Sequence, residues 1–361
     1  MKYDYLIVGC GLFGSTFARL ATDNGKSCLI IDKRNHIAGN CYTKNIEGIN
    51  VHEYGPHIFH TSNKLVWNFV NRFCEFNNYI HSPKAWCENR VYSLPFNMNT
   101  FYELWNTKNP QHAKLIIESQ KFNGTPKNLE EQALALVGED IYRTLIKGYT
   151  EKQWGRSAKD LPSFIIKRLP LRFTFDNNYF NDRYQGIPIG GYTKMFEKML
   201  DGIPIEIGVD YFSDRNYYNS LAKNVVYTGC IDEFFDYEYG NLQYRSLKFD
   251  TEVINLDNYQ AISQMNYTCN TKKWTRIVEH KHFENANTKN TVITKEYSVE
   301  YTKGLVPYYP INDFYNQTIF NKYKEKSKLL TNIIFGGRLS EYKYMDMHVV
   351  IESAFNKFKK Q

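Results

Sequence analysis

Apolar residues follow three different spacings along this chain, and each spacing predicts a different element. Near the N-terminus a continuous run, Tyr5-Leu6-Ile7-Val8, leads into Gly9-Cys10-Gly11-Leu12-Phe13-Gly14. A helix is expected next, through Ala18 and Leu20 to Asn24-Gly25. A second strand, Cys28 to Ile31, then ends on Asp32, so this stretch reads as one βαβ unit. In the middle, Leu129, Ala133, Val137, Ile141 and Leu145 recur every four residues, the spacing of a helix with one buried stripe. Asn128 is placed to cap it, with Glu131 completing a capping box, and Gly148 is placed to close it. The whole stretch from about Asn99 to Lys147 is expected to be largely helical. From about Leu242 to Tyr301 the pattern changes to alternation, as in Thr275-Arg276-Ile277-Val278 and Thr291-Val292-Ile293-Thr294, which predicts strands. The end returns to α/β. A strand from Asn332 to Phe335 precedes a Gly336-Gly337-Arg338 turn, and a helix from about Met347 to Phe358 follows, with Asp346 placed to cap it.

Neither an internal repeat nor a low-complexity linker interrupts these patterns, and 361 residues exceed what one core organises. Two or three interleaved domains are therefore expected, with the nucleotide-binding core built from both ends of the chain. No run approaches the roughly 18 apolar residues of a membrane span. The glycine loop begins at Gly9 and leaves no room for a signal peptide, so a cytoplasmic location is expected. The net charge of +7 is dispersed. Its densest runs, Lys322 to Lys328 and Lys357 to Lys360, read as solvated helix faces rather than a nucleic-acid stripe. The cationic excess suits one or two diphosphates. Seven cysteines, Cys10, Cys28, Cys41, Cys74, Cys87, Cys230 and Cys269, form no C-x-x-C pair, so reduced structural thiols and no metal site are expected. Aromatic residues make up 16% of the chain, which offers flat faces for bases and sugars beyond those the core needs.

The glycine loop carries the firmest chemistry. Gly9 permits the tight turn after the strand, Gly11 lets the backbone approach a pyrophosphate, and Gly14 allows close helix–strand packing. Asp32 lies about 20 residues on, where a ribose diol is bound. NAD and FAD share this motif. The continuation Lys33-Arg34-Asn35-His36-Ile37-Ala38-Gly39-Asn40 resembles the second glycine-bearing loop of FAD-binding oxidoreductases and favours FAD. Gly55-Pro56-His57-Ile58-Phe59-His60-Thr61 adds a turn with two imidazoles as a candidate site wall. Far downstream, Arg338 is placed to neutralise phosphate, and the helix near Asp346 to aim its positive end at a flavin ring.

Longer stretches carry a family resemblance. GPHIFHT (Gly55 to Thr61), LPFNMNTF (Leu94 to Phe101), KGYTEKQWGRSA (Lys147 to Ala158), FIIKRLPLRFTFDNNYF (Phe164 to Phe180), QGIPIGGY (Gln185 to Tyr192), TRIVEHKHF (Thr275 to Phe283), PYYPIND (Pro307 to Asp313) and GGRLSEYKYMDMH (Gly336 to His348) are similar to those of bacterial UDP-galactopyranose mutases. The similarity runs in order along essentially the whole chain. It implies an α/β fold: a Rossmann-like FAD-binding domain (1–80, 190–240 and 315–361), a helical domain (97–180) and an antiparallel sheet domain (81–96 and 241–314). It implies interconversion of UDP-galactopyranose and UDP-galactofuranose through a flavin N5–sugar adduct, active only with reduced FAD, with NADPH or NADH as external reductant. The product would serve surface polysaccharide, and the enzyme would be a homodimer.

Carried over by position, Arg168 (in a mobile loop) and Arg276 would hold the UDP diphosphate, with His60 as the third catalytic residue. Tyr149, Trp154, Tyr179, Tyr309, Tyr344 and His81 would line the substrate cleft. Gly9, Gly11, Phe13, Gly14, Asp32, Lys33, Gly39, Asn40, His57, Ile58, Gly337, Arg338, Tyr344, Asp346 and Met347 would hold FAD. Two positions depart from the family pattern: His81 stands where many members have Asn, and Ala38 where glycine is common. The rival readings are a flavin oxidoreductase of amine-oxidase type, an NAD(P)-linked dehydrogenase, a silent flavin- or UDP-binding protein and a basic nucleic-acid binder. The two oxidoreductase readings leave the two arginines and the aromatic cleft without a task.

Overall fold

The structure, a computed structural model, describes residues 1–166 and 169–361. The N-terminal βαβ unit forms as its pattern predicts: strand Tyr3–Val8, helix Leu12–Asp23, strand Cys28–Asp32. These strands sit inside a five-stranded parallel sheet in the order Ile333–Phe335, Ala222–Tyr227, Tyr3–Val8, Cys28–Asp32, Ile205–Ile207. Alternate side chains point to opposite faces, and both faces are covered. Tyr5, Ile7 and Ile30 pack with Phe17, Phe196 and Ile351 on one side. Leu6, Leu29 and Ile31 pack with Val225, Phe234 and Tyr323 on the other.

A second sheet of seven strands runs in the order Tyr309–Pro310, Tyr244–Ile254, Thr291–Glu300, Arg276–Glu279, Gln264–Tyr267, Lys84–Cys87, Arg90–Ser93. It is antiparallel except where Gln264–Tyr267 runs parallel to Lys84–Cys87. That parallel pair corrects the expectation for the cysteines. It brings Cys87 and Cys269 to a Cα–Cα distance of 5.2 Å, within disulfide reach, and the two are bonded across 182 residues. The other five thiols are free.

The helical region Met98–Trp105, Pro110–Gln120 and Leu129–Val137 packs against this sheet through Phe101, Ile117, Leu129, Ala133, Ala85 and Tyr92. The long helix expected from the four-residue repeat does not run unbroken. Gly138 takes φ +81° and ends it after Val137, and a π-helical turn, Tyr142–Lys147, leads into a further helix, Gly148–Trp154. Gly148 is thus not a helix stop. A Cβ there would stand 2.4 Å from the Thr268 carbonyl oxygen, so the glycine serves the close crossing of helix and sheet. The Asn128 cap forms, its side chain accepting from the Glu131 amide at 2.9 Å. Glu131 does not close the capping box, because its carboxylate accepts from Lys127 N at 2.7 Å instead.

Candidate active site

A cavity of about 1110 Å³ opens at the C-terminal ends of the parallel strands and reaches the face of the second sheet. Backbone builds one end of it. A Cβ on Gly14 would stand 2.1 Å from the Gly9 carbonyl oxygen, and one on Gly39 would stand 2.8 Å from Gly11 Cα, so two glycine-bearing turns meet at contact. Phe13 packs beneath Gly336 and Gly337. No side chain caps the helix Leu12–Asp23 at Gly11, which leaves its first amides for a ligand. Asp32 accepts from Cys10 N at 2.6 Å and from Arg34 N at 2.8 Å, and each carboxylate oxygen keeps a lone pair for a diol. Arg34 donates through Nη2 to Asn40 Oδ1 at 2.9 Å, while its Nη1 is buried with no partner among the described residues. An unpaired guanidinium nitrogen, open helix amides and a glycine cradle fit an extended dinucleotide with its pyrophosphate at the glycine loop. Lys33 stands on the same wall.

Side chains build the other end. Arg276 and Glu296 are opposite each other in the sheet register. Nε and Nη2 of Arg276 both reach Glu296 Oε2 at 2.8 Å, and Glu296 is only 1% exposed. Burial works against the guanidinium charge, but Glu296 more than offsets it and holds the Arg276 pKa well above its usual value. Among the described residues no hydrogen bond engages the remaining nitrogen of Arg276, which leaves it for an anion. Tyr309 and Tyr344 stack at 5.6 Å, and the Arg338 guanidinium lies 4.5 Å over the Tyr344 ring and donates to the Tyr308 carbonyl at 2.8 Å.

Three histidines share this cavity. Burial, with Arg338 and Arg276 nearby, pushes His57 down to about 4, and its Nδ1 bonds the Gly55 carbonyl at 2.8 Å. Burial and the Arg276 charge push His81 down to about 3, and its Nδ1 meets the Tyr79 hydroxyl at 3.1 Å. His60 Nδ1 lies 2.6 Å from Asp182 Oδ2. The helix Met347–Phe358 begins at Asp346 as expected, but the Asp346 carboxylate does not cap it. Its first-turn amides therefore keep their positive end for the cavity.

Ile58, Tyr149, Tyr179, Asp346 and Met347 complete the wall. Every site residue expected from the sequence lies on this one cavity, apart from two. Trp154 faces an adjoining cleft of about 1330 Å³ that shares Tyr309 and Tyr344, and Arg168 lies outside the described residues. The helix bearing Tyr149 and Trp154 is fastened to the sheet by Lys152. Its ammonium reaches the carbonyls of Tyr267, Cys269, Lys272 and Trp274 at 2.7 to 3.1 Å. Sequence reasoning missed Glu296, Asp182 and Lys152. An acid at a buried, period-two position between Thr294 and Ser298 was the available signal for Glu296. No comparable signal marks Asp182.

A sequence profile of the UDP-galactopyranose mutase family matches residues 144–344, and a profile of NAD(P)-binding Rossmann-like domains matches residues 7–73. The dTDP-fucopyranose mutase of Escherichia coli is 43% identical, over 97% of this chain and 96% of that one. A probable UDP-galactopyranose mutase of Klebsiella pneumoniae is 40% identical, over 97% and 92%. Among solved structures, that of a reduced UDP-galactopyranose mutase superposes with a TM-score of 0.75 at 12% identity, covering 99% of this chain and 93% of that one. A putative protoporphyrinogen oxidase from Exiguobacterium has the same fold at a TM-score of 0.66, 11% identity and full coverage of both chains. The profile covers more than half of the chain, and relatives at 40% identity or above span nearly all of it; the chain belongs to the UDP-galactopyranose mutase family of isomerases.

Proposed function

We propose that this enzyme interconverts UDP-galactopyranose and UDP-galactofuranose on reduced FAD and so supplies galactofuranose for surface polysaccharide. The observation that carries the reading is Arg276, locked by the buried Glu296 and flanked by Tyr309 and Tyr344 on the wall of the dinucleotide cavity. The glycine loop, the Asp32 carboxylate and the unpaired Arg34 nitrogen would hold the cofactor's adenosine and pyrophosphate. Held there, with NADPH or NADH as its reductant, the flavin would supply nucleophilic chemistry at the anomeric carbon of the sugar.

The remaining work falls to the chain's own residues. Arg276, with Arg168 as the proposed second cation, binds the diphosphate and stabilises its charge as it departs and returns. The hydroxyls of Tyr309 and Tyr344 stay protonated, since burial raises both phenols, and can donate to phosphate oxygens. His57 and His81, held neutral, add no positive charge beside the guanidinium groups. Trp154 and Tyr179 offer ring faces for the uracil and ribose.

The 43% identity to a dTDP-fucopyranose mutase favours a second reading, in which a deoxythymidine diphosphate 6-deoxyhexose is the substrate. One experiment tests both. The reduced holoenzyme and an oxidised control are each given UDP-galactofuranose or dTDP-fucofuranose, and pyranose formation is followed by chromatography. Conversion of the UDP sugar by the reduced sample alone is the expected result. Preference for the dTDP sugar would move the assignment to the second reading, and turnover in the oxidised control would overturn the flavin's role.

A further inference from the structure

Converting a pyranose to a furanose exchanges the bond C1–O5 for C1–O4. One proton leaves the 4-hydroxyl, one arrives on O5, and no electrons are gained or lost. We propose that Asp182 is a positioning residue for this exchange: it fixes the tautomer of His60 so that Nε2 faces the cleft and carries the proton between the two sugar oxygens. The inference rests on the mutase reading.

The geometry singles out His60 among the three histidines of the cavity. A carboxylate only accepts, so Asp182 Oδ2 at 2.6 Å requires the proton on His60 Nδ1. That leaves a lone pair on Nε2, which has no hydrogen-bond partner among the described residues, on a ring that lines the cavity. His60 is also clamped. Its ring lies flat on Phe180 at 3.7 Å, and the edge of His348 meets it at 5.0 Å. The strands Phe59–Thr61 and Tyr184–Gly186 pair with His60 opposite Gln185, which sets Asp182, two residues before the second strand, against the imidazole. Ser62 donates to the other carboxylate oxygen at 2.7 Å and fixes the plane of the acid. Hydrogen bonds from His60 and Ser62 overcome the effect of burial and keep the Asp182 carboxyl below its usual range, so it is charged at neutral pH.

The other two imidazoles lack this support. A backbone carbonyl backs His57 and a tyrosine hydroxyl backs His81, and neither can neutralise an imidazolium. Taking up a proton turns His60 into a cation already paired with a carboxylate, and giving it back restores the starting state within one turnover. The ionisable groups facing His60 are Asp182 beside its own strand, His348 from the helix Met347–Phe358, and His81. Arg276, which His81 also faces, lies on the same cavity.

The test combines a spectroscopic readout with kinetics on the flavin-loaded full chain. Histidine-selective ¹⁵N NMR, with His60→Gln to assign the resonance, reports the His60 tautomer. Wild type is expected to be protonated on Nδ1, and Asp182→Asn to shift toward the Nε2–H form. In that variant kcat should fall roughly 10²-fold, with KM within about threefold of wild type and flavin content unchanged. Asp182→Glu should restore a large part of the loss and keep the wild-type tautomer. An Nε2-protonated His60 in wild type, or Asp182→Asn with kcat within about twofold of wild type, would overturn the proposal. If Asp182→Asn fails to hold flavin, the wild-type tautomer and the Asp182→Glu kinetics decide alone. Should wild type convert neither nucleotide sugar, the mutase reading falls and the proton-carrying role with it, while the tautomer still reports whether Asp182 orients His60.

Discussion

The two ends of the cavity are made of different material. The end at the glycine loop is made mostly of backbone: turns at contact across Gly9, Gly11, Gly14 and Gly39, and a helix terminus with open amides. The far end is made of side chains from separate segments, and two of them are held by partners remote in the sequence, Arg276 by Glu296 and His60 by Asp182. A backbone site fails all at once when a single Cβ enters it. A side-chain site can lose one group and leave the cofactor in place.

Four substitutions or conditions sharpen that contrast. Gly14→Val should have the largest effect. With a Cβ 2.1 Å from the Gly9 carbonyl, the helix must move off the strand, costing about 3 kcal/mol or more and abolishing flavin retention. Denaturant midpoints and flavin absorbance per chain measure both losses. Arg276→Ala should instead keep its flavin and lose roughly 10²- to 10³-fold in kcat/KM, because only the diphosphate clamp is broken. Full activity in that variant would remove Arg276 from the role proposed for it.

The third expectation concerns pH. Burial pushes His57 and His81 down to about 4 and about 3, below the ordinary imidazole value of 6.5, so the unfolded chain binds more protons between these values. Stability is therefore greatest above about pH 6.5 and falls as pH drops toward 4, by about 1–2 kcal/mol per histidine between pH 7 and 5. Urea midpoints at the two pH values check the slope, and His81→Asn should flatten it; an unchanged slope would mean that His81 does not titrate on unfolding. The smallest effect is expected at Ala38, whose φ of +72° places a Cβ in the left-handed region. Ala38→Gly should relieve that strain and raise stability by less than about 1 kcal/mol, since the more flexible unfolded chain offsets part of the gain.

Much of the backbone end was legible in the sequence, because its signals are local. A strand, a glycine turn, a helix and an acid 23 residues after Gly9 all lie within one short segment. The same local reading failed at Gly148, where the glycine serves a crossing with Thr268 rather than a helix end, and at Asp346, whose carboxylate does not cap its helix. At the far end, the family resemblance supplied Arg276, the tyrosines and His60, but not the groups that hold them. Asp182 lies two residues beyond the family-bearing stretch that ends at Phe180, and Lys152 reads as one more charge on a helix until four carbonyls are found around it.

By itself the sequence determined the N-terminal βαβ unit, the alternating strands of the second sheet and the last helix, because period and glycine sterics act between neighbours along the chain. It also set a glycine-bearing turn at the start of the first helix. Tertiary structure alone decided that Arg276 faces Glu296, that Asp182 backs His60 and that Cys87 meets Cys269. These pairings span 20, 122 and 182 residues. They depend on strand order and register, which hydrophobic periodicity leaves open, and on packing that brings several segments to the same cavity.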